Sequence, residues 1–393
     1  MASLSSLAYR PIAPRRARTA RASASASRSA PRVAAAASVT PPSVPVASVL
    51  GCMTMGWRYA SSECDDDVSA ALMRAFVDAG HSELDTARAY AGGDTEKIMG
   101  RVLASDPDLA ARVSVATKAN PWPGGNMTSS AGEGGLAPDE LRAQVEASRA
   151  ALAPASVDLL YLHAPDAATP IEDTLAELVR LRDEGAFRRL GLSNFSAWET
   201  VRIHRACLDA GLPAPDTYQG MYNCVTRAVE PELIPALRQL GMRFLAFNPL
   251  AGGVLTGKHA GRLADPDAAS ATGRGRFTEN AMYQDRFWRE AYFDAIDTIA
   301  AACEAAGGGL TPTSAALRWL YSHSALDGEE GDGVILGASS VAHLDENLEA
   351  AAAAARGETL PEGVLAAIEE AWEVCTPATP PYARGHSKRT PPR

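Results

Sequence analysis

Short apolar runs alternate with helical patterns along most of this chain, from about residue 50 onward. The runs begin at eight places: near Val46 or Leu50, His81, Arg112, Ser156, Arg188, Asp216, Met242 and Gly333. Amphipathic stretches lie between them, at residues 66–79, 138–152, 171–184, 197–210 and 231–240. This alternation indicates repeated βα units around a parallel sheet. Eight such units predict an α/β fold whose sheet closes into a (β/α)8, or TIM, barrel.

Two regions depart from this regular spacing. The connection from the seventh to the eighth strand is much longer than the others, which predicts an extended loop over the barrel mouth at about residues 253–290. The pattern at residues 352–356 and 360–374 predicts a terminal helix. We therefore expect a barrel over residues 41–376 and a proline-rich tail at 377–393, which either is disordered or folds back.

The amino terminus is basic and lacks acidic residues. The first 32 residues hold seven arginines among serine, alanine and proline, and the first acidic residue is Glu63. This composition predicts a transit peptide over residues 1–40. The serine and alanine content favours a chloroplast over a mitochondrion as the destination. A disordered tail is the simpler alternative, but it gives no reason for the absence of Asp and Glu.

Charge and hydropathy argue against several classes of partner. The formal net charge is −10, and loss of the seven arginines would take it to about −17, which is unfavourable for binding nucleic-acid backbones. No apolar run approaches the roughly 20 residues of a membrane helix. The six cysteines form no CxxC pair and show no metal-ligand spacing. We expect no nucleic-acid, membrane or metal binding.

Polar residues stand where the predicted strands end. Asp85, Lys118 and His163 each close an apolar run, and Tyr90 follows Asp85 by five residues. Alone, each has an ordinary explanation as a helix cap, a surface lysine, a core histidine or a loop residue. Because the carboxyl ends of barrel strands meet at one mouth, together they form an acid/base set. We expect the Lys118 ammonium to lower the pKa of Tyr90, which would then donate a proton.

Several longer motifs occur in order along the chain. They are Gly51-Cys-Met-Thr-Met-Gly, Asp85-Thr-Ala-Arg-Ala-Tyr90, Leu159-Leu-Tyr-Leu-His163-Ala-Pro-Asp, Gly191-Leu-Ser-Asn-Phe-Ser-Ala-Trp198, Tyr218-Gln-Gly-Met-Tyr-Asn223, Phe247-Asn-Pro-Leu-Ala-Gly-Gly-Val-Leu-Thr-Gly-Lys258 and Gly337-Ala-Ser-Ser340. From about residue 51 to 384, the chain resembles the aldo-keto reductases, in particular the aflatoxin-aldehyde and succinic-semialdehyde reductase branch. The resemblance implies an NADPH-dependent aldehyde reductase, and related reductases are often homodimers.

The resemblance also implies a role for each catalytic residue. Tyr90 would be the general acid, Lys118 and Asp85 would depress its pKa, and His163 would orient the substrate carbonyl. Hydride would pass directly from the nicotinamide to the carbonyl carbon while Tyr90 protonates the oxygen. The cofactor would supply the hydride chemistry, and the barrel would supply position and electrostatics.

Cofactor and substrate residues follow from the same resemblance. The nicotinamide carboxamide would be held by Ser193, Asn194 and Gln219. The pyrophosphate would be held by Asn248, Pro249, Leu250, Gly252, Gly253 and Lys258, with Arg276 beside them. The adenosine 2′-phosphate would be held by Gly337, Ser339, Ser340, His343 and Asn347. The substrate, an aldehyde that carries a carboxylate or second polar group, would meet Met55, Arg58, His163, Tyr283, Arg286 and Arg384.

One departure from the branch pattern bears on the cofactor. His343 and Glu346 stand where glutamines are usual. The negative charge of Glu346 near a phosphate would weaken the preference for NADPH over NADH.

Other functions compete with the reductase. A regulatory subunit of the same fold would bind NADPH with little turnover, and a Schiff-base aldolase would use Lys118 as its nucleophile. Residues 252–258 resemble a phosphate-binding P-loop, but His259 replaces the Ser or Thr that binds magnesium. No GxGxxG motif follows a predicted strand, which argues against a Rossmann dehydrogenase.

Overall fold

The computed structural model describes residues 44–122, 124, 127, 128, 130–259, 275–278 and 280–388. The transit peptide predicted at residues 1–40 lies outside the described residues, as do residues 260–274 of the predicted long loop. Among the helices in the described ranges, none has both the length and the apolar character to cross a membrane.

Eight parallel strands close into a barrel in sequence order, so the predicted fold is confirmed. The strands are β1 Ala47–Gly51, β2 Glu83–Asp85, β3 Ser114–Ala119, β4 Val157–Leu162, β5 Arg189–Ser193, β6 Thr217–Met221, β7 Arg243–Phe247 and β8 Gly333–Gly337. The first and last strands pair in register from Ala47↔Gly333 to Gly51↔Gly337, which closes the sheet.

Helices cover the outside of this sheet. They are α1 Asp66–Asp78, α2 Asp94–Ser105, α3 Pro107–Ala111, α4 Pro138–Leu152, α5 Ile171–Asp183, α6 Ala197–Asp209, α7 Leu233–Leu240, α8 Ala281–Phe287, α9 Glu290–Ala306, α10 Pro312–Ser322, α11 Val341–Ala355 and α12 Glu362–Cys375. Local sequence explains several of their starts. Asp65 accepts a hydrogen bond from Val68 N at the start of α1, and Thr311 caps α10, whose first residue is a proline.

The carboxyl-terminal region differs from its prediction. Where one terminal helix was expected, α11 and α12 are separate helices. Gly357 adopts a left-handed conformation with φ 77° just after α11, and Pro361 precedes α12. These two residues end one helix and start the next, since a left-handed glycine and a proline at a helix start are both common at helix boundaries.

Alternation along the strands separates the barrel interior from the outer core. Leu50 packs in the large core cluster with the helices, whereas Val49 packs with Leu245 and Ile335 in a small separate cluster. Because neighbouring side chains on a strand point to opposite faces, Val49 and its partners lie inside the barrel. The polar interior side chains described below therefore stand above a plug of aliphatic residues.

The amino-terminal ends of the strands carry ion pairs. Arg243 donates to Glu83 Oε1 at 2.9 Å, and Arg189 Nε lies 2.8 Å from Asp216 Oδ2. Arg189 also contacts Asp158 at 3.4 Å. This closed end thus neutralises its charges internally.

Candidate active site

A cavity of about 330 Å³ opens at the carboxyl ends of the strands. It is lined by most of the residues that the sequence assigned to a site: Asp85, Tyr90, His163, Ser193, Asn194, Gln219, Asn248, Pro249, Leu250, Gly252, Gly253, Lys258, Arg276, Tyr283, Arg286, Gly337, Ser339, His343, Asn347 and Arg384. Residues up to 299 positions apart in the chain thus converge on one space, as expected for the mouth of a parallel barrel.

The Lys118 ammonium joins the acid/base residues below this cavity. It is fully buried and donates to Asp85 Oδ2 at 2.6 Å, to the Thr86 carbonyl at 2.7 Å and to the Tyr90 hydroxyl at 3.3 Å. Its three donors are therefore all used. Because the phenol oxygen of Tyr90 accepts from Lys118, its own proton is free to be donated into the cavity.

A fourth residue completes this network. Gln219 Nε2 donates to Asp85 Oδ1 at 2.8 Å, so both carboxylate oxygens of Asp85 have a donor. Burial disfavours charge on Lys118, but Asp85 and Tyr90 raise its pKa above the usual range. Lys118 is therefore an ammonium at neutral pH, held beside the phenol by a satisfied carboxylate.

The pKa of Tyr90 differs from its prediction. The ammonium was expected to lower the pKa below its ordinary value, whereas burial raises it, and Lys118 offsets this only in part. The expectation considered charge alone and could not weigh the loss of solvation, which opposes the phenolate. Tyr90 is consequently protonated at neutral pH.

His163 stands beside Tyr90 with its ring in the cavity wall. The two ring centroids are 5.9 Å apart, and Nδ1 is buried with no hydrogen-bond partner among the described residues. Burial lowers the pKa of His163 far below its ordinary value, and the nearby cations Lys118, Arg384 and Arg286 act in the same direction. His163 is thus a neutral imidazole that can contact a bound oxygen without bringing a charge.

Two arginines reach the cavity from different elements. Arg286 comes from α8 and Arg384 from the carboxyl-terminal tail, and both are more than nine-tenths buried. Neither forms an ion pair within the described part of the chain. The structure therefore presents to the cavity two guanidinium groups that no described carboxylate pairs with.

The tail folds back over the barrel to deliver Arg384. The backbone nitrogen of Arg384 donates to Asn194 O at 2.9 Å, and its side chain donates to Thr128 O at 3.0 Å. The guanidinium also lies 5.2 Å from the ring of Trp122. The sequence left open whether the tail is disordered or folds back, and residues 377–388 fold back.

A glycine-rich turn after β7 forms another side of the cavity. Gly252 and Gly253 have φ values of 70° and 107°, in the left-handed region that glycine adopts without strain. Lys258 and Arg276 line the same side and form no ion pair with any described residue. Buried Asn248 Nδ2 likewise has no hydrogen-bond partner among the residues that the structure describes. Exposed backbone, two cations and a free amide suit a phosphate-bearing ligand.

Three predicted residues are not brought to the cavity. Met55 packs in the outer core, and Arg58 is exposed with its guanidinium 4.3 Å from the ring of Tyr59. Ser340 instead caps α11 by accepting from His343 N at 3.3 Å. Met55 and Arg58 follow the 3-10 turn at Cys52–Thr54, in which Met53 and Thr54 line the cavity instead.

The sequence analysis also missed residues that shape the site. Trp122 packs its ring 5.5 Å from His163 and beneath Arg384. Met127, Met282 and Thr54 line the cavity. Trp122 follows Lys118 by four positions, so its place just beyond a strand end could have indicated it. The other three carry no polar pattern that distinguishes them.

Comparison with known proteins agrees with this architecture. The model of the aldo/keto reductase family matches residues 49–373, and the chain therefore belongs to this family of oxidoreductases.

Its relatives include the human "Aflatoxin B1 aldehyde reductase member 2", 45% identical over 359 residues, which covers 90% of this chain and 94% of that protein. The human "Aflatoxin B1 aldehyde reductase member 4" is 44% identical over 339 residues, 86% of this chain and 96% of that protein. The human "Aldo-keto reductase family 7 member A3" is 45% identical over 343 residues, 86% of this chain and 97% of that protein.

Proposed function

We propose that this protein is an NADPH-dependent reductase of aldehydes that carry a carboxylate or a second polar group. The observation that carries the proposal is the Tyr90 hydroxyl, which lines the cavity 3.3 Å from the buried Lys118 ammonium. The names of the two aflatoxin B1 aldehyde reductases support an aldehyde as the substrate.

The residues around the cavity fit a nicotinamide dinucleotide. Ser193, Asn194 and Gln219 would hold the carboxamide at the strand ends. Lys258 and Arg276 would neutralise the pyrophosphate beside the glycine-rich turn. When bound, NADPH would supply the hydride that reduces the carbonyl carbon.

Tyr90 supplies the proton in this proposal. As the aldehyde carbon gains a hydride, negative charge develops on its oxygen, and Tyr90 transfers the phenolic proton there. Lys118 then stabilises the phenolate by charge and by its hydrogen bond. The uncharged His163 ring holds the carbonyl oxygen next to Tyr90, and Trp122 supports that ring from behind.

The substrate class follows from charge. Arg286 and Arg384 face the cavity with no described carboxylate paired to either, and a buried cation needs a compensating partner. A carboxylate on the substrate would supply it through charge-assisted hydrogen bonds. Polar aldehydes of this kind would be reduced more efficiently than neutral ones of equal size.

The test is an assay with the purified protein, NADPH and either succinic semialdehyde or 2-carboxybenzaldehyde, followed by loss of nicotinamide absorbance. Turnover is expected in the wild type and lost in Tyr90→Phe, which should still bind NADPH, as measured by fluorescence quenching. Tyr321→Phe is the matched control, because its buried hydroxyl bonds Ser48 Oγ at 2.8 Å and does not line the cavity. It should retain full activity.

Other outcomes would favour the competing functions. Tight NADPH binding without turnover of any aldehyde tested would favour a regulatory subunit. A substrate adduct trapped on Lys118 by borohydride would favour an aldolase. Parallel titration with NADH tests the cofactor preference, which Glu346 at the cavity edge would weaken.

We further propose that residues 1–40 direct the protein to the chloroplast. The seven arginines and the absence of Asp and Glu support this destination. Fusion of these residues to a fluorescent protein tests it, and accumulation in mitochondria or the cytosol would contradict it.

A further inference from the structure

The start of α6 contains a local motif that the structure uses differently. Ser196-Ala-Trp-Glu199 has the Ser-x-x-Glu spacing of a capping box, in which the glutamate binds the backbone at the start of its own helix. Here Glu199 makes only a side-chain contact at its own helix start, where Ser196 Oγ donates to Oε2 at 3.4 Å. Its Oε1 accepts from Ser387 N at 2.8 Å, and Oε2 lies 3.3 Å from His386 Nδ1. The carboxylate therefore binds a segment nearly 190 residues away.

This partner is the C-terminal segment, residues 382–388. Arg384 N donates to Asn194 O at 2.9 Å, and Lys388 N donates to Asp166 O at 2.8 Å. The Tyr382 hydroxyl accepts from Ala197 N at 3.2 Å. Glu199 supplies the only carboxylate within hydrogen-bond distance of residues 385–388 in the described part of the chain.

Arg384 does not hold this segment in place by itself. Arg384 is 6% exposed, and its guanidinium has no carboxylate partner among the described residues, only the Thr128 carbonyl and the face of Trp122. These neutral contacts compensate the burial of the charge only in part. The anchors on either side of Arg384 must offset this cost, and Glu199 binds two consecutive residues within the segment.

We propose that Glu199 is a positioning residue for substrate selectivity: it holds the C-terminal segment so that Arg384 faces the cavity. The proposal rests on the proposed reduction of carboxylate-bearing aldehydes. Glu199 does not line the cavity and acts only through Arg384. Its loss should weaken recognition of the carboxylate and leave the chemistry at Tyr90 unchanged.

The experiment compares two aldehydes of equal chain length, succinic semialdehyde and butanal, with NADPH saturating. In Glu199→Ala we expect KM for succinic semialdehyde to rise about tenfold, which corresponds to about 1.4 kcal/mol. The kcat and KM values for butanal should stay within about twofold of wild type, the precision such a comparison needs. Glu199→Gln keeps an acceptor for Ser387 N, so its KM for succinic semialdehyde should lie between those of the wild type and Glu199→Ala.

Asp209→Asn is the matched control, since Asp209 is an exposed carboxylate at the other end of the same helix, paired only with Arg205. It should behave as wild type with both aldehydes. Hydrogen exchange provides a second measurement, because backbone amides of residues 385–388 should exchange faster in Glu199→Ala than in Asp209→Asn.

A double-mutant cycle separates positioning from general structural damage. Arg384→Met should lose the same selectivity, and Glu199→Ala combined with Arg384→Met should be no worse than Arg384→Met alone. If Glu199→Ala does not fold, Ser387→Pro removes the donated N–H from the opposite side and should reproduce the KM effect.

Equal losses with both aldehydes, or effects of Glu199 and Arg384 that add, would overturn the positioning role. Failure of the wild type to reduce either aldehyde would instead overturn the proposed function.

Discussion

The two ends of this barrel use arginine in opposite ways. At the closed end, Arg189 and Arg243 are bound by Asp216 and Glu83. The Asp216 hydrogen bond raises the pKa of Arg189, and Glu83 raises that of Arg243 against the effect of burial. At the open end, burial and the nearby Arg286 lower the pKa of Arg384, and Tyr283 and Tyr90 offset this only in part.

This difference separates stability from function. A paired arginine contributes little net stability, because its attraction to the carboxylate roughly balances the cost of removing both charges from water. Removal of one partner leaves the other charge uncompensated and destabilises the fold. An unpaired buried arginine destabilises the protein until a ligand supplies the missing charge. The open end thus buries cations whose cost a bound anion would offset, an arrangement that is common where activity and stability conflict.

The sharpest test of this comparison is Lys118→Met at the open end. Loss of the ammonium removes the donor to Tyr90 and the charge that opposes burial, so the phenol becomes a weaker acid. We expect kcat to fall about 10²–10⁴-fold, the usual contribution of a positioned acid, with NADPH binding retained. Stopped-flow measurement of the reduction step checks this, and a loss below tenfold would remove Lys118 from the mechanism.

A second test removes one open-end guanidinium. Arg286→Met should lower kcat/KM for succinic semialdehyde by about 10–100-fold, because a hydrogen bond to a charged group contributes about 1.5–3 kcal/mol. Butanal should be unaffected. Urea unfolding should show unchanged or higher stability, since a buried unpaired cation is removed.

Arg289→Met is the control for this variant, as Arg289 is exposed and binds only the Asp285 carbonyl oxygen among the described residues. It should match wild type in both assays. A large loss of stability in Arg286→Met would show that Arg286 serves the fold and would break the comparison.

The closed end should give the reverse result. Arg243→Met leaves Glu83 without its partner, and the free energy of unfolding should fall by about 2 kcal/mol, less than for a fully buried pair because Glu83 is partly exposed. Activity should change less than twofold. Urea unfolding and steady-state kinetics on the same preparation measure both, and a catalytic loss without destabilisation would contradict the assignment.

The barrel could be predicted because each of its strands and helices is encoded by the hydrophobic pattern of its own residues. The eighth strand begins at Gly333 as expected, and α4 spans Pro138–Leu152 as the pattern indicated. Offsets elsewhere are small: β2 begins at Glu83 rather than at His81, since only Glu83–Asp85 pair with β3 and only the last two of these also pair with β1. Hydrophobic periodicity reports which residues face a core, and a closed parallel sheet follows from the count of units.

The site was predictable where strand ends determine it, and less so where distant segments meet. Asp85, Lys118 and His163 converge because each ends a strand. The segment that carries Arg384 contacts Asn194 and Glu199, which lie nearly 190 residues earlier in the chain, and no local pattern encodes these contacts. The pKa of Tyr90 depends on how deeply the fold buries the phenol, a quantity absent from residue types alone.

The raised pKa of Tyr90 leads to the last prediction, a pH profile in which the expected change is the smallest. Reduction needs the protonated phenol, and a raised pKa keeps the proton on Tyr90 to higher pH. The pKa of His163 is lowered far below 6.5, so the ring does not titrate near neutrality. With butanal, which does not engage the arginines, kcat/KM should therefore be flat from about pH 7 and decline only above the ordinary tyrosine value of about 10.

The profile separates burial from charge as the dominant influence on Tyr90. If the Lys118 ammonium outweighed desolvation, kcat/KM would begin to decline well below pH 10. Lys118→Met would then move the start of this decline to a much higher pH. If the pKa of Tyr90 is already raised by burial in the wild type, Lys118→Met should shift the decline by a smaller amount. An alkaline limb near neutral pH in the wild type would mean that the open end stabilises the phenolate in the free enzyme.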